Sequence, residues 1–393
     1  MAKQTVRDID VQGKRVLVRE DFNVPLDGAS ILDDTRIRAA LPTLRLLLQG
    51  GARVVLASHL GRPAGKVEDK LRLRPVADRL GELLGAGVSC TRDCVGPEAT
   101  AAVERLAAGQ ALMLENLRFH AEEEHNDPAF ARQLASLADV YVNDAFGTAH
   151  RAHASTEGVA HLLPAVAGLL MERELEVLGK ALSDPKHPFV AIIGGAKISD
   201  KIGVISHLLT KADALLIGGG MANTFLVAIG CDVAASLVEP DKVPQARELI
   251  RQAAQANVRL LLPSDAVVAA AFENTAERKT IPVKQTPAGW RIMDVGPQTV
   301  QQYAEVIDGA GTVVWNGPMG VYEMSNFATG TLGLAQAVAN SKAFTIIGGG
   351  DVVAAVEHAG LTDRISHIST GGGATLELLE GKTLPGVAAL NDK

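Results

Sequence analysis

Residues 189–201 read FVAIIGGAKISDK, an apolar run that stops at two glycines and continues with two lysines. The run from Val190 to Ile193 predicts a strand buried on both faces, because β-branched residues suit such a strand. A helix with apolar residues at helical spacing follows from Ile202, and Ser199 or Asp200 is predicted to cap it. The glycines and lysines then lie in a strand-to-helix turn, where backbone N–H groups converge and an anion approaches closely. The stretch predicts either a phosphate site or an ordinary turn with solvated lysines.

The composition limits the classes of protein to consider. The 393 residues are 47% hydrophobic, enough for two or three domains with large cores, and the net charge of -7 argues against nucleic acid as the main partner. The first ten residues contain no apolar signal core, and the most apolar stretch, residues 158–171, is too short to span a bilayer. Three cysteines at these spacings predict neither a disulfide framework nor a metal set. We therefore expect a cytoplasmic protein without a membrane partner.

Predicted strands in the first half end in polar turns. In open α/β sheets the carboxyl ends of the strands form the edge where ligands bind. The strands, each with the polar residues that follow it, are 15–19 with Asp21 and Asn23, 54–57 with His59 and Arg62, 111–114 with Glu115, Asn116 and Arg118, and 140–142 with His150, Arg151 and His153. The alternative for Asp21 and Asn23 is that they bond their own backbone as turn residues.

Four arginines are predicted to converge on this edge. Arg36 stands in the first turn of a helix that Asp33 or Asp34 caps, where the helix dipole disfavours a cation unless an anion is present. Converging guanidinium groups repel one another unless they bind a polyanion, and their geometry suits phosphate and carboxylate oxygens. The histidines raise the alternative of zinc, which no HExxH or His/Cys spacing supports. The four arginines are Arg36, Arg62, Arg118 and Arg151.

The two halves are predicted to be separate α/β lobes. Residues 169–182 have apolar residues at helical spacing and stop before Pro185, which indicates one long amphipathic helix between the lobes; the alternative is a helix covering one continuous sheet. We predict two Rossmann-like lobes, each a mostly parallel sheet flanked by helices and joined by this long interdomain helix. The predicted divisions are a first domain over residues 1–168, a hinge over 169–185 and a second domain over 186–382.

Strands in the second half repeatedly end in glycine, which predicts an edge rich in exposed N–H groups. Asp351, at a predicted helix start beside three glycines, suits Mg²⁺, whose hard charge prefers carboxylate and phosphate oxygens; the alternative is a helix N-cap. No Gly-x-Gly-x-x-Gly occurs, and the sequence Gly381-Lys382-Thr383 has Leu376 where a P-loop needs its first glycine. The nucleotide hypothesis therefore depends on the number of these turns. They follow the strands at residues 215–217, 260–262, 312–315, 344–347 and 365–369.

The chain resembles phosphoglycerate kinases, since nine motifs occur in that family's order over nearly the whole sequence. They are VREDFNVP, SHLGRP, LENLRF, NDAFGTAHRAHAST, GGAKISDK, GGGMANTF, WNGPMGVYE, GGGD and STGGGA. The resemblance implies a monomeric glycolytic enzyme that reversibly transfers a phosphoryl group from 1,3-bisphosphoglycerate to ADP, giving 3-phosphoglycerate and ATP. It also implies a Mg²⁺ cofactor, small-molecule substrates as the only partners, domain closure about the 169–185 helix before in-line transfer, and a tail over 383–393 that packs back on the first lobe.

The resemblance also implies roles for individual residues of the first lobe. Asp21 and Asn23 match contacts to the glycerate part of the substrate, and Phe22, Leu60 and Gly61 lie within the same motifs. The positions that match the basic patch for the phosphate that is not transferred are His59, Arg62, Arg118 and Arg151.

The other matching positions concern the migrating phosphoryl group and the nucleotide. Arg36 and Lys197 match the pair that stabilises the migrating group, with backbone N–H groups at Gly349 and Gly372. Asp351 matches the magnesium ligand. The positions that match the nucleotide site are Lys197, Lys201, Gly219, Asn316, Pro318, Glu323, Gly349, Gly350, Asp351 and Val352.

The chain departs from the family's pattern at two positions. Val352 stands where Thr or Ser is usual after GGGD, which removes a hydroxyl that would bond a nucleotide phosphate, although a backbone N–H can compensate. Glu20 stands where an apolar residue is common, and little effect is expected from it. The competing functions are an NAD-dependent dehydrogenase, disfavoured by the missing dinucleotide motif, and a non-catalytic nucleotide- or sugar-phosphate-binding protein, disfavoured by the presence of both Arg36 and Lys197.

Overall fold

The structure, a computed structural model, describes residues 2–393 in two units. The first unit comprises the residues up to Glu176 together with Thr383–Lys393, and the second comprises Val177–Lys382. A single helix, Leu169–Ser183, contains the division between them. None of the helices within residues 2–393 has both the length and the apolar character needed to cross a membrane.

The first unit contains a six-stranded parallel sheet with helices around it. Its strands are β1 Arg15–Arg19, β4 Arg53–Ala57, β5 Val88–Cys90, β6 Ala111–Met113, β7 Val140–Asn143 and β8 Ala165–Ala167, beside a small hairpin of β2 Leu26–Asp27 and β3 Ser30–Ile31. Its helices are α1 Thr35–Gln49, α2 Arg74–Leu84, α3 Gly96–Glu104, α4 Ala121–Glu124 and α5 Pro128–Ala135. The strand order is β5-β6-β4-β1-β7-β8, so β1 lies inside the sheet and its residues Val16 and Val18 are fully buried.

The second unit contains a second six-stranded parallel sheet and a three-stranded antiparallel sheet. The strands of the parallel sheet, in spatial order, are β11 Arg259–Leu261, β10 Ala214–Ile217, β9 Phe189–Ile193, β15 Thr312–Asn316, β16 Phe344–Gly348 and β17 His367–Ile368. The antiparallel strands are β13 Arg278–Pro282, β12 Asp265–Ala269 and β14 Arg291–Val295. Every residue of β9 is buried, as its apolar run predicts.

Helices pack around the sheets of the second unit. They are α7 Ile202–Leu208, α8 Met221–Ala228, α9 Val243–Gln255, α10 Pro297–Asp308, α11 Thr329–Asn340, α12 Gly350–His358 and α13 Gly373–Leu379, with α6 Leu169–Ser183 preceding them. The predicted fold class, two mostly parallel sheets flanked by helices, is confirmed. The tail forms a short helix, α14 Pro385–Ala388, within the first unit, where Asn143 donates a hydrogen bond of 3.2 Å to the carbonyl of Gly386.

Some local predictions were wrong. Helix α7 begins only at Ile202, with Lys201 at the N-cap position, so neither Ser199 nor Asp200 caps it. Instead the backbone N–H of Ser199 bonds Glu239 at 3.1 Å. The antiparallel sheet of β12, β13 and β14 was not predicted, because β13 is largely exposed and lacks the apolar run that marks the other strands.

Candidate active site

Polar loops follow the carboxyl ends of β1, β4 and β7, which are adjacent parallel strands and so end at one edge of the first sheet. His59 lies at the centre of this edge and is 4% exposed. Burial lowers the pKa of His59 well below its ordinary value, and the charges of Arg19, Arg118, Arg36 and Arg151 lower the pKa further. His59 and these four arginines are here called the basic cluster. Three of the four arginines predicted to converge belong to it, namely Arg36, Arg118 and Arg151, whereas Arg62 does not. Arg62 lies exposed in the loop that carries His59.

The neutral imidazole of His59 has a defined tautomer. Its Nδ1 lies 3.2 Å from a terminal nitrogen of Arg19, and a guanidinium group can only donate. Nδ1 is therefore the acceptor, and the ring proton resides on Nε2. A neutral His59 in this tautomer can donate one hydrogen bond to an anion bound at the edge.

Arg19 belongs to the basic cluster but was not among the residues singled out from the sequence. It ends β1, is 1% exposed, and donates from Nε to Ser155 Oγ at 2.8 Å. Ser155 in turn donates to the buried Glu123 at 2.6 Å. An arginine in the otherwise apolar run RVLVR was the available signal, because a guanidinium enters a core only with several partners.

Asp21 supplies the anion that Arg36 requires in the first turn of α1. Arg36 Nη1 lies 2.5 Å from Asp21 Oδ2, while Asp21 Oδ1 lies 3.9 Å from His59 Nδ1. The predicted helix cap is only partly correct, because Asp34 occupies the N-cap position but its carboxylate pairs with Arg38 and Arg79. The Arg36 side chain remains 36% exposed, so it can still contact a ligand.

Amide side chains hold the His59 loop in place. Asn23 Oδ1 accepts the N–H of Gly61 at 2.8 Å, and Asn116 bonds both the N–H and the carbonyl of Leu60. Arg118 is 4% exposed and donates to the carbonyl of Gly61 at 2.9 Å. The side chains of Phe22 and Leu60 are buried in the hydrophobic core, and their backbone N–H groups already bond Ser58 Oγ and Asn116 Oδ1.

Arg151 lies in the loop after β7, and its Nε donates to His150 Nε2 at 3.2 Å. Burial, together with the charges of Arg19, Arg118 and Arg151, lowers the pKa of His153 in the same loop to about 3. His153 is therefore neutral at physiological pH, and the positive charge of this edge comes from its arginines.

The second unit has a cavity of about 290 Å³ at the carboxyl edge of its parallel sheet. One part of the wall is apolar and includes Leu226, Leu237, Val283 and Ile292. Another part consists of turns and side chains that follow the strands, namely Gly195, Gly219, Pro318, Gly320, Glu323 and Asp351. An apolar pocket beside exposed N–H groups suits a ligand with a flat organic ring and an anionic tail.

Two glycines of these turns have a backbone conformation that other residues rarely adopt. Gly349 has φ +96° immediately before α12, a conformation that only glycine adopts readily. At Gly219, φ is +68° and a Cβ would lie 2.5 Å from the carbonyl oxygen of Gly195. Side chains are therefore excluded at both positions. In the first turn of α12 this leaves N–H groups accessible to an anion, whereas the N–H groups of Met221, Ala222 and Asn223 at the start of α8 already bond backbone carbonyl groups.

Lys201 is a buried cation at the same edge. Its side chain is 8% exposed, and Nζ donates to Asn316 Oδ1 at 2.7 Å. Asn316 Nδ2 donates to the carbonyl of Gly348 at 3.0 Å, so this side chain connects the ends of β15 and β16 to the lysine. Burial lowers the pKa of Lys201 to about 8, although Asp200 and Asp351 favour its charged form.

If Lys201 binds nucleotide phosphate, as the resemblance implies, the affinity for ADP should depend on pH through this residue. The ammonium form binds phosphate, so above about pH 8 the free protein must take up a proton to bind, and the Kd for ADP should rise toward tenfold per pH unit. Calorimetric titration with ADP between roughly pH 7.5 and 9.5 measures this. Lys201→Gln should bind weakly with a flat profile, and an unchanged slope in that variant would contradict the assignment.

The remaining predicted residues occupy different environments. Asp351 lies exposed in the first turn of α12 and lines the cavity, whereas Gly349 is the N-cap, so Asp351 is not itself the cap. Val352 is fully buried in the core of the second unit, so its contribution to a ligand site is its backbone N–H. Lys197 is exposed in the turn after β9, where its charge contributes to a lowered pKa of Glu239.

Two polar residues of the cavity wall were missed by sequence reasoning. Asn223, 1% exposed, donates from Nδ2 to the carbonyl of Leu237 at 3.1 Å, while its Oδ1 has no hydrogen-bond partner within residues 2–393. Burial raises the pKa of Asp294 to about 7, and this carboxyl accepts the N–H of Gly330 at 2.7 Å. Only the motif GGGMANTF pointed to Asn223, without indicating that its side chain faces a cavity.

Two α/β units, one with an arginine-rich sheet edge and one with an apolar cavity beside a helix N-terminus, are the arrangement expected of a phosphotransferase. Comparisons with known proteins specify the family. The family model described as phosphoglycerate kinase matches residues 6–382, and the chain belongs to that family.

Similar proteins and solved structures agree over the full length of the chain. The phosphoglycerate kinase of Moorella thermoacetica is 63% identical over 393 residues, and that of Roseiflexus castenholzii is 64% identical over 394, each covering all of both chains. The structure of phosphoglycerate kinase from Coxiella burnetii has a TM-score of 0.89 at 42% identity and covers 98% of each chain. That from Pyrococcus horikoshii OT3 has a TM-score of 0.85 at 35% identity, covering 99% of this chain and 98% of the other.

The predicted activity is confirmed by this family membership. The enzyme transfers a phosphoryl group reversibly between 1,3-bisphosphoglycerate and ADP, a glycolytic reaction, and its substrates are small molecules. The dehydrogenase and the non-catalytic binding protein are thereby set aside.

Proposed function

We propose that the basic cluster binds the glycerate substrate. The observation that carries this is the convergence of four arginines around a neutral His59, since such a cluster is stable only with anionic partners. Arg62, Arg118, Arg151 and His59 Nε2 then hold the phosphate that is not transferred, while Asp21 and Asn23 contact the glycerate part. Phe22, Leu60 and Gly61 support this substrate site by holding its loops in place, because their backbone N–H groups bond Ser58, Asn116 and Asn23.

The cavity of the second unit then binds ADP or ATP. The apolar wall near Pro318 receives the base, and Glu323 contacts the ribose. Lys201 and the N–H groups at Gly350 and Val352 bind phosphates, because helix N-termini and a buried ammonium group favour negative charge. Gly219 allows the phosphates to approach closely but donates no bond to them, because its N–H already bonds the carbonyl of Met319 at 2.9 Å. Asn316 contributes by holding Lys201, since both of its polar atoms already have protein partners.

Arg36 and Lys197 are proposed to act on the migrating phosphoryl group. An acyl phosphate has a carboxylate leaving group that needs no general acid, and a phosphate oxygen of ADP needs no general base. Catalysis therefore reduces to positioning and to neutralising charge on the transferring oxygens. Backbone N–H groups at Gly349 and Gly372, which begin α12 and α13, add donors directed at the same oxygens.

Asp351 fits a magnesium ligand in this site. It is exposed, lines the nucleotide cavity and stands beside the N–H groups of α12 that would face phosphate oxygens. Mg²⁺ is usually held by one or two carboxylates together with substrate phosphates and water. When bound, the ion would neutralise charge on the nucleotide phosphates.

Asp351→Asn should preserve the shape of the side chain and remove its charge. We expect the enhancement of ADP affinity by Mg²⁺ to fall by at least about tenfold, while the Kd for metal-free ADP changes little or improves. Isothermal titration with and without Mg²⁺, alongside ATP formation from enzymatically generated 1,3-bisphosphoglycerate, measures both. Asp363→Asn, an exposed acidic residue of the same unit, is the matched control. Full magnesium enhancement in Asp351→Asn would assign the ion elsewhere.

Transfer is proposed to follow domain closure. The two substrates bind to different units, so they must be brought in line before the phosphoryl group moves, and closure also excludes water that would hydrolyse the acyl phosphate. Helix α6 is the proposed hinge. The radius of gyration from X-ray scattering should decrease when 3-phosphoglycerate and MgADP are both present, and identical curves with and without both would contradict closure.

The cellular setting follows from the same chemistry. We propose a cytoplasmic monomer whose partners are its substrates, without nucleic acid or membrane, because its net charge is -7 and its glycolytic substrates are soluble metabolites.

A further inference from the structure

A second group of chemically reactive side chains lies away from the basic cluster, in the first unit. Asp93 and Cys94 lie between β5 and α3, and His120 follows the turn Leu117–Phe119 after β6. Strands β5 and β6 are parallel neighbours, so these two segments leave the sheet at the same edge. One ligand atom from each of the three residues lies within 4.8 Å of the other two.

The three side chains are already held in place by their surroundings. Asp93 Oδ1 accepts the backbone N–H of Cys94 at 2.6 Å and lies 2.7 Å from His120 Nε2. The His120 ring packs against Phe130 with centroids 5.2 Å apart, and the backbone carbonyl of Asp93 accepts from Thr91 Oγ1 at 2.6 Å. Little conformational freedom remains to be lost when a ligand joins the three groups.

A thiol, an imidazole and a carboxylate together match the ligand preferences of zinc. Zn²⁺ takes four ligands in a tetrahedron, with bonds of about 2.3 Å to sulfur and about 2.0 to 2.2 Å to nitrogen and oxygen. The ligand atoms around such an ion are about 3.3 to 3.8 Å apart, so small side-chain rotations would bring the three groups into tetrahedral geometry. Mg²⁺ prefers oxygen ligands, and a thiolate therefore discriminates against it.

The environment is accessible to an ion on one side only. Cys94 is fully buried, whereas the Asp93 and His120 side chains are 48% and 29% exposed. Burial, with Asp93 and Glu123 nearby, raises the pKa of the Cys94 thiol well above its ordinary value. Burial therefore favours the neutral thiol in the absence of metal. A bound divalent cation would favour the thiolate instead, because its positive charge stabilises the negative charge on sulfur.

We propose that Asp93, Cys94 and His120 form a binding site for one zinc ion, with water as the fourth ligand. On binding, the Cys94 S–H bond breaks, its proton passes to solvent and the sulfur keeps the electron pair that it gives to the metal. The imidazole binds through Nε2, and its ring proton moves to Nδ1. The ion ties the segment after β5 to the turn after β6, two residues beyond Arg118 of the basic cluster.

Cobalt is the spectroscopic probe for this site. We expect metal-free enzyme to bind one equivalent of Co²⁺ with a thiolate-to-cobalt charge-transfer band in the near ultraviolet and tetrahedral bands in the visible. Zn²⁺ should abolish these bands, and an excess of Mg²⁺ should not. Because one proton is released, the apparent affinity should rise about tenfold per pH unit below the thiol pKa.

Two variants and one matched control decide the assignment. Cys94→Ala and His120→Asn should each abolish the charge-transfer band or weaken Co²⁺ binding until the band cannot be measured. Cys90→Ser should retain the band, because Cys90 lies four residues before Cys94 and outside the group. Two variants are used because one of them could fail to fold, and circular dichroism would reveal such a defect. Absence of a thiolate band in the wild-type enzyme, or its persistence in Cys94→Ala, would overturn the proposal and leave a hydrogen-bonded loop contact.

Discussion

Arg36→Ala should lower kcat by about 10³-fold or more, with a much smaller change in the KM for either substrate. An arginine that stabilises the charge of a transferring phosphoryl group is worth about 10³ to 10⁵ in rate in other phosphoryl-transfer enzymes. Arg36 has the required properties, since it is part of the basic cluster yet 36% exposed, and Asp21 fixes its guanidinium at 2.5 Å. Steady-state kinetics of ATP formation measures the effect.

The matched control for Arg36 is Arg38→Ala. Arg38 lies on the same helix, is exposed and pairs with Asp34 at 2.7 Å, so its loss tests for general effects on α1. We expect near-normal kcat in this control. Arg36→Lys should recover only part of the activity, because an ammonium group carries the charge without the planar fork. A raised KM with normal kcat in Arg36→Ala would make Arg36 a binding residue only.

Lys197→Ala should lower kcat by about 10²- to 10³-fold, the cost of removing one donor to the charge that develops in a transition state. Lys197 is exposed in the turn after β9, beside Gly195 of the cavity wall. The proposed partner of Lys197 is the migrating phosphoryl group, which ADP does not carry, so ADP binding should be nearly normal. Kinetics and calorimetry on the same preparation separate the two quantities.

Lys211→Ala is the matched control for Lys197, because Lys211 is exposed in the same unit but lies beyond the far end of α7. Its kcat should be unchanged. Equal losses in the two variants would indicate a general electrostatic effect of the second unit, and a normal kcat in Lys197→Ala would remove Lys197 from the catalytic pair.

Local sequence signals predicted most strands of the two parallel sheets. An apolar run followed by glycine, such as β9, predicts a buried strand, and the side chain of Asp127 caps α5 at 2.8 Å, as is usual for Asp before a Pro at the first helical position. Helix starts without a side-chain cap were harder to place, as α7 shows. The exposed strand β13 was missed because its stability comes from pairing with β12 rather than from its own residues.

The sequence predicted some residues of the candidate sites but not their surroundings. Motifs gave the residues of the basic cluster other than Arg19, whose importance depends on the buried partners Ser155 and Glu123, distant along the chain. Glu20, from which little was expected, is fully buried, and burial beside Asp144 raises its pKa well above the ordinary value. Cysteine spacing predicted no metal set, and spacing could not show that Asp93 and His120 lie near Cys94, which is the observation behind the proposed zinc site.

The sequence by itself determined the fold class, the order of the strands along the chain and the family, because hydrophobic period, glycine turns and motifs are local properties. Only the tertiary structure decided the protonation and direction of the side chains. His59 is neutral because the fold buries it among arginines, Lys201 has a pKa of about 8 because the fold removes it from water, and Val352 faces the core. Burial and electrostatic interaction depend on residues far apart in the chain, which no local pattern records.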